Sequence, residues 1–549
     1  MKSIKKNFVI GGLVLAGFGW FGFSADLFEI TKNLEVFNSL YRELNIYYVD
    51  DTDPGELVTT GIDAMLKSLD PYTVYIPESR IEDFRFMTTG EYGGIGAMVR
   101  LIDGNVVITE PYDGFAAHKT GLMAGDIVIE VDGKDITGID QEKITTVLKG
   151  QAGTEVDLKI ERPGVDQPID FTLIREDIKV PDIPYYSKLD DKTGYIKLSS
   201  FTKTAYKNFD KTYKDLKEEG MTQLIIDLRG NGGGLLHQAV NIVNMFVPKG
   251  QLIVETRGKL TDWDKSYKAL NEPVDLEIPI IVLVDTTSAS ASEIVAGALQ
   301  DVDRAVIVGE TTYGKGLVQQ TRELYYNSML KVTVAKYYIP SGRCIQKLDY
   351  SHRNGNGVVE EVHDSLLHSF ETANGRKVID GRGIIPDVKV ELPEFSKVAF
   401  ELYKENLIFD YATLYRINND SIVPADEFKL TENEYAEFGQ WLSNQEFNYK
   451  TNTEVVYNEL IESTKEDRCY KEIKTDLENL KILIDEGKAL DLVKFKGEIE
   501  DLLNNEIVSR YYYQKGRIEN VLSSDPYLTK SISVFSTDEY NKILSNTSN

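Results

Sequence analysis

A lysine and a serine carry the first signals of chemistry. Lys315 sits in GETTYGKG (309–316), which has the spacing of a phosphate-binding loop at every position but the last, where Gly316 replaces the hydroxyl that would ligate magnesium. Upstream, LIIDL and IVLVD resemble the apolar strand that ends in a magnesium-binding aspartate, so a nucleotide site is one reading. The text after the loop, LVQQTRELYYNSMLKVTVAKYYIP, alternates with period two and predicts a hairpin, which leaves no helix N-terminus to face a phosphate. Lys315 then needs another partner, and Ser290 in SASASEIVAG supplies one. Ser290-Ala-Ser-Glu293 is itself a capping box, in which the serine caps a helix and the glutamate reaches back, and spacing alone favours that role. The helix mouth also favours negative charge as it develops, which suits a nucleophile.

A serine–lysine dyad needs no histidine. Lysine serves as general base only when neutral, so its pKa must be drawn down from about 10.4 by burial or by positive potential nearby. Gln319, four residues beyond Lys315 across the turn, is placed to orient the amine. Of the five histidines, His118, His352, His363 and His368 lie away from these motifs, and His237 reads as packing inside an apolar helix.

These residues are distant in sequence, and only topology can join them. QLIIDLR (223–229), PIIVLVD (279–285) and RAVIVGE (304–310) read as buried strands. They run into GNGGG (230–234), TTSASAS and TTYGKG respectively, the first two followed by helices. In parallel βαβ units the loops leaving the carboxyl ends share one edge of the sheet, so Gly232–Gly234, Ser290 and Lys315 should converge there. Around this sheet, expected from about 180 to 395, three other textures appear. Residues 26–87 are mainly helical, 88 to about 176 form a small β-rich domain of short glycine-punctuated runs, and the chain after Phe395 is acidic and largely helical.

Composition limits the partners. With 42% hydrophobic and 10% aromatic residues, 549 residues can build several cores. A net charge of -27 argues against wholesale nucleic-acid binding, since a phosphate backbone would repel such a surface. Cys344 and Cys469 are too few for a disulfide framework. Lys2, Lys5 and Lys6 precede an uncharged run from Asn7 to Ala25, the pattern of an export signal. Phe21 and Phe23 make a poor cleavage site after Ser24, so the segment reads as an uncleaved anchor with its lysines in the cytoplasm and the rest of the chain outside.

Together DLRGNGGGLL, TSASASEIVAGALQD, GETTYGKGLVQ, KYYIPSGRCIQ and DGRGIIPD resemble, in order and spacing, the C-terminal processing peptidases, or tail-specific proteases. The resemblance implies Ser290 as nucleophile, Lys315 as general base and Gln319 as its orienting partner. It also implies an oxyanion hole from the N–H of Ala291 with that of Gly233 or Gly234, and no metal or organic cofactor. The fold implied is an α/β catalytic domain of ClpP/crotonase type (179–395), with an inserted β-rich PDZ domain (88–178). An anchor (1–25), an N-terminal helical segment (26–87) and a helical C-terminal region (396–549) flank them. GLMAGDIVIEVDG looks like the PDZ signature, and YGGIGAMV (92–99) looks like its carboxylate-binding loop, with Gly93, Gly94, Ile95 and Gly96 around the peptide terminus. The glycine loop departs from its relatives at Gly230 and Gly232, where asparagine and proline are common. The expected protein is a serine endopeptidase of the bacterial periplasm or outer face of the inner membrane, acting on proteins with free C-termini. The alternative is a PDZ scaffold with an inactive peptidase domain. The C-terminal region is expected to serve as packing or as a surface for a second copy or regulatory partner.

Overall fold

The computed structural model describes residues 27–139, 144, 147–355, 357–391 and 395–547. The leader on which the anchor reading rests lies outside them. Among the described residues no helix is long and apolar enough to cross a membrane.

The chain divides into two compact units, one formed by residues up to 75 with 321–332, the other by 76–320 with 333–549. In the first, a helix over 27–47 precedes the helix Pro54–Lys67. Asp53 starts the latter: its carboxylate accepts from the N–H groups of Gly55 (2.7 Å) and Glu56 (3.0 Å), and proline follows at the first helical position, where no donor is lost.

The second unit is built on a six-stranded sheet. Tyr185–Lys188 pairs antiparallel with Thr193–Lys197, after which Gln223–Asp227, Ile280–Val284, Val306–Gly309 and Val388–Lys389 follow in parallel. The innermost strand, Ile280–Val284, is apolar at every position because both faces are covered. Leu224, Ile226, Ile280, Val282 and Ile307 point to a core shared with the helices Ala205–Glu218, Leu236–Asn244 and Ala291–Asp301. Their alternates Ile225, Ile281, Leu283, Val306 and Val308 point the other way, onto Tyr527, Leu528, Val534 and Tyr540. The helices Pro526–Ser536 and Glu539–Leu544 therefore cover the second face of this sheet, although sequence grouped them with the C-terminal helical region. That region keeps its own core around Phe438, Leu503 and Ile507.

The β-rich insert holds a separate core and a sheet in which Ala97–Ile102 is an outer strand, paired among the described residues with Asn105–Pro111 alone. A short ladder between Glu91–Gly94 and Glu176–Lys179 ties its two ends together. The expected hairpin forms from Leu317–Glu323 and Met329–Tyr338.

If the last helices are part of the sheet, Leu528→Ala should destabilise it by about 2–5 kcal/mol, the cost of emptying a buried leucine site. The urea midpoint should fall, and amide exchange in Ile280–Val284 should quicken with it. Unchanged exchange there would show the tail to be a separate folding unit.

Candidate active site

The parallel topology brings the three loops to one edge, and the first contact is between backbones. Asn231, buried at the bend of the glycine loop, donates from Nδ2 to the Leu198 carbonyl at 2.7 Å. Its own carbonyl accepts from the Ala289 N–H (3.1 Å) and the Ser292 hydroxyl (2.8 Å). Gly233 follows with φ 102°, and a Cβ there would stand 2.7 Å from Ser290 Cβ and 3.0 Å from the Ala291 nitrogen. Only glycine lets this loop lie against the serine turn.

Three serines stand in SASAS, and the structure distinguishes them. Ser288 is buried and donates to the Leu228 carbonyl at 2.9 Å, while Ser292 is buried on Asn231. Ser290 alone is partly open. It holds φ 58° and ψ -112°, a strained backbone for a residue with a side chain and the kind found at functional sites. The capping box forms, but unevenly. Glu293 accepts from the Ser290 N–H at 2.9 Å, whereas the Ser290 hydroxyl faces the Glu293 amide without a well-formed bond to it.

Glu293 does more than cap. Its carboxylate is fully buried, and the oxygen that accepts from Ser290 also accepts from the Lys315 N–H at 3.1 Å. The other oxygen accepts from the Gly314 N–H (2.7 Å) and the Thr312 hydroxyl (2.6 Å). Burial pushes the Glu293 pKa above the ordinary carboxylate value, against the hydrogen bonds from Thr312, Ser290, Gly314 and Lys315 that favour the ion. The Tyr337 hydroxyl lies 3.3 Å from both the Glu293 oxygen shared by Ser290 and Lys315 and the Ser290 carbonyl, as a donor to either. Thr312 also accepts from the Ile384 N–H at 2.7 Å, so DGRGIIPD braces the lysine loop. Neither Glu293's second role nor Tyr337 emerged from the sequence, because their partners lie on other elements.

The same bonds remove the nucleotide reading. The amides of Gly314 and Lys315, which a phosphate would need, already face a carboxylate, and the strand Leu317–Glu323 follows instead of a helix.

The remaining site residues are placed as follows. Gln319 Nε2 donates to Thr333 Oγ1 across the hairpin at 3.2 Å. The Gly233 N–H is already donated to Asn231 Oδ1 at 2.8 Å, whereas among the described residues those of Gly234 and Ala291 have no acceptor. His237 is exposed on the first turn of its helix, not packed inside it. In the insert, Gly93 and Gly94 pair with Asp177 and Glu176 in the tying ladder, and a Cβ on Gly93 would lie 2.1 Å from the Gly150 carbonyl. Ile95 is buried in the insert's core. Its carbonyl and that of Gly96 accept from Ala117 and Tyr112, both at 2.8 Å, and among the described residues their N–H groups have no acceptor. These two amides precede the open edge of Ala97–Ile102.

Comparison with known proteins agrees with this architecture. The profile of Peptidase family S41 matches residues 192–352, that of the PDZ domain residues 85–161, and that of the probable PDZ-protease C-terminal helical domain residues 398–535. The carboxy-terminal-processing protease of Bartonella bacilliformis is 38% identical over 354 residues, 64% of this chain and 80% of that protein. The carboxy-terminal processing protease CtpA of Bacillus subtilis is 32% identical, over 66% of this chain and 70% of its own length. A solved photosystem II D1 C-terminal processing protease is 26% identical, covering 65% of this chain and 92% of that one, with a TM-score of 0.36. The chain belongs to the C-terminal processing peptidases of family S41. It is a serine peptidase that carries a PDZ domain.

Replacing Glu293 by glutamine keeps the shape but turns one acceptor into a donor, which must then face either the Ser290 and Lys315 amides or the Gly314 amide and Thr312. Glu293→Gln should lower kcat by at least about 10-fold, the scale expected when a reacting group is misplaced, with a native circular dichroism spectrum. Wild-type kcat would show that the carboxylate only caps the helix.

Proposed function

We propose that this chain is an endopeptidase of the bacterial cell envelope working through a Ser290–Lys315 dyad. The observation that carries the reading is the single buried oxygen of Glu293 that accepts from the backbone N–H of both residues. In the proposed cycle Ser290 Oγ attacks a peptide carbonyl while neutral Lys315 takes its proton. The oxyanion is met by the N–H of Ala291 and, of the two glycines, by that of Gly234, whose amide has no acceptor among the described residues. Collapse breaks the C–N bond, and Lys315 returns the proton to the leaving amine. Water then attacks the acyl ester, passing a proton to Lys315, and the ester C–O bond breaks as Lys315 returns that proton to Ser290 Oγ, releasing the acid. Gln319 belongs to this scheme as a brace on the lysine strand through Thr333.

Substrate capture is assigned to the PDZ domain. A terminal carboxylate would accept from the N–H groups of Ile95 and Gly96 while the peptide adds a strand to Ala97–Ile102. The charged and apolar leader would hold the enzyme at the outer face of the inner membrane.

The purified chain should cleave an unstructured protein with an apolar free C-terminus, and Ser290→Ala and Lys315→Ala should each abolish cleavage with folding intact. Peptide binding without turnover by the unmutated chain would favour the inactive scaffold. A peptide with a free C-terminal carboxylate should compete for binding better than its amidated twin. Equal competition would exclude the Ile95–Gly96 amides as a carboxylate site.

A further inference from the structure

The helix Pro526–Ser536 fills the second face of the sheet with Leu528 and Val534, and that apolar burial accounts for its docking. Its first residues do something the packing does not require. Asp525, 4% exposed, pairs with Arg229 at 2.7 Å while also accepting from the Tyr527 N–H at 2.8 Å. Arg229 is the last residue before the glycine loop. The guanidinium nitrogen that meets Asp525, Nη2, also meets Asp227 at 2.7 Å, Nε donates to the second Asp227 oxygen at 3.0 Å, and the group lies 4.6 Å from the Tyr527 ring centre. The Tyr527 hydroxyl donates to Glu310 at 3.0 Å, and Glu310 opens the loop that carries Lys315. Tyr527 also presses on the backbone there: a Cβ on Gly309 would sit 3.2 Å from its ring.

A buried ion pair is weak evidence for stability, because desolvation offsets most of the attraction. What this cluster does supply is geometry. The glycine loop has few side chains of its own to fix it, and Arg229 anchors its entry from two carboxylates at once.

We propose that Asp525 and Tyr527 are positioning residues for catalysis, clamping the glycine loop through Arg229 and the lysine loop through Glu310. The inference rests on the dyad reading, since it assigns the two loops their catalytic parts. The last helices thus set the distance between the oxyanion donors and the base as well as covering apolar surface.

The same segment provides its own control. Tyr540 accepts from the Ile280 N–H at 2.9 Å, at the start of a strand and therefore at the edge of the sheet opposite the loops. Asp525→Asn, Tyr527→Phe and Tyr540→Phe would be compared in the full-length chain by peptide kinetics, urea midpoint and amide exchange. The clamp predicts that Asp525→Asn and Tyr527→Phe lower kcat by about 10-fold or more with KM unchanged. Exchange should quicken within 229–234 and 310–316. Tyr540→Phe should lower the urea midpoint and leave kcat alone. Unchanged loop exchange in Asp525→Asn and Tyr527→Phe, or kcat equal to that of Tyr540→Phe, would overturn the clamp. Because exchange is read without turnover, an unmutated chain that cleaves nothing while its loops loosen in the variants would count against the dyad and still support the clamp.

Discussion

One buried carboxylate organises the active edge of this protein. Removing Glu293 from water is costly, and the cost is offset only while the surrounding donors stay in place. Those donors come from Ser290, Thr312, Gly314, Lys315 and Tyr337, on a helix start, a loop and a strand. Any movement of one loop away from another leaves a charge or an amide unpaired in a low-dielectric interior. The convergence of serine and lysine is thus enforced by hydrogen-bond satisfaction, and the strained backbone of Ser290 is tolerated because its neighbours are pinned on both sides.

The rest of the fold can be read as what this edge requires. Parallel strands deliver the loops to one side, and apolar faces above and below fix the strand positions to which the loops are anchored. Asp227 shows the same economy at the glycine loop. It is fully buried, yet opposing its burial the Arg229 and Lys197 charges hold its carboxyl well below the usual range, so it remains an ion that can grip Arg229.

Much of this was legible from local pattern. The runs QLIIDLR, PIIVLVD and RAVIVGE marked the strands, period two marked the hairpin after Lys315, and the spacing of Ser290 and Glu293 marked a helix mouth with two uses. What escaped had its cause at long range. The capping-box spacing accounts for the bond between Glu293 and Ser290 but not for the two amides that arrive from 314 and 315. YGGIG reads in sequence only as a carboxylate-binding loop, and the fold shows a further reason for its glycines: a Cβ at Gly93 would meet the Gly150 carbonyl, and one at Gly96 the Phe115 side chain. The text after Phe395 reads only as acidic and largely helical, and the fold shows that its last helices belong to a sheet begun some 340 residues earlier.

That last arrangement bears on how the molecule comes into being. Ile225, Ile281, Leu283, Val306 and Val308 present a greasy face that stays wet until residues 526–544 arrive to cover it. Contacts this distant in sequence form late, because the intervening chain must first be closed into a loop. Synthesis proceeds from the N-terminus, so every earlier domain has left the ribosome before the catalytic sheet can be finished. A nascent or truncated chain that has made its three loops still lacks the helices that cover the sheet beneath them, so the sheet's second face closes last.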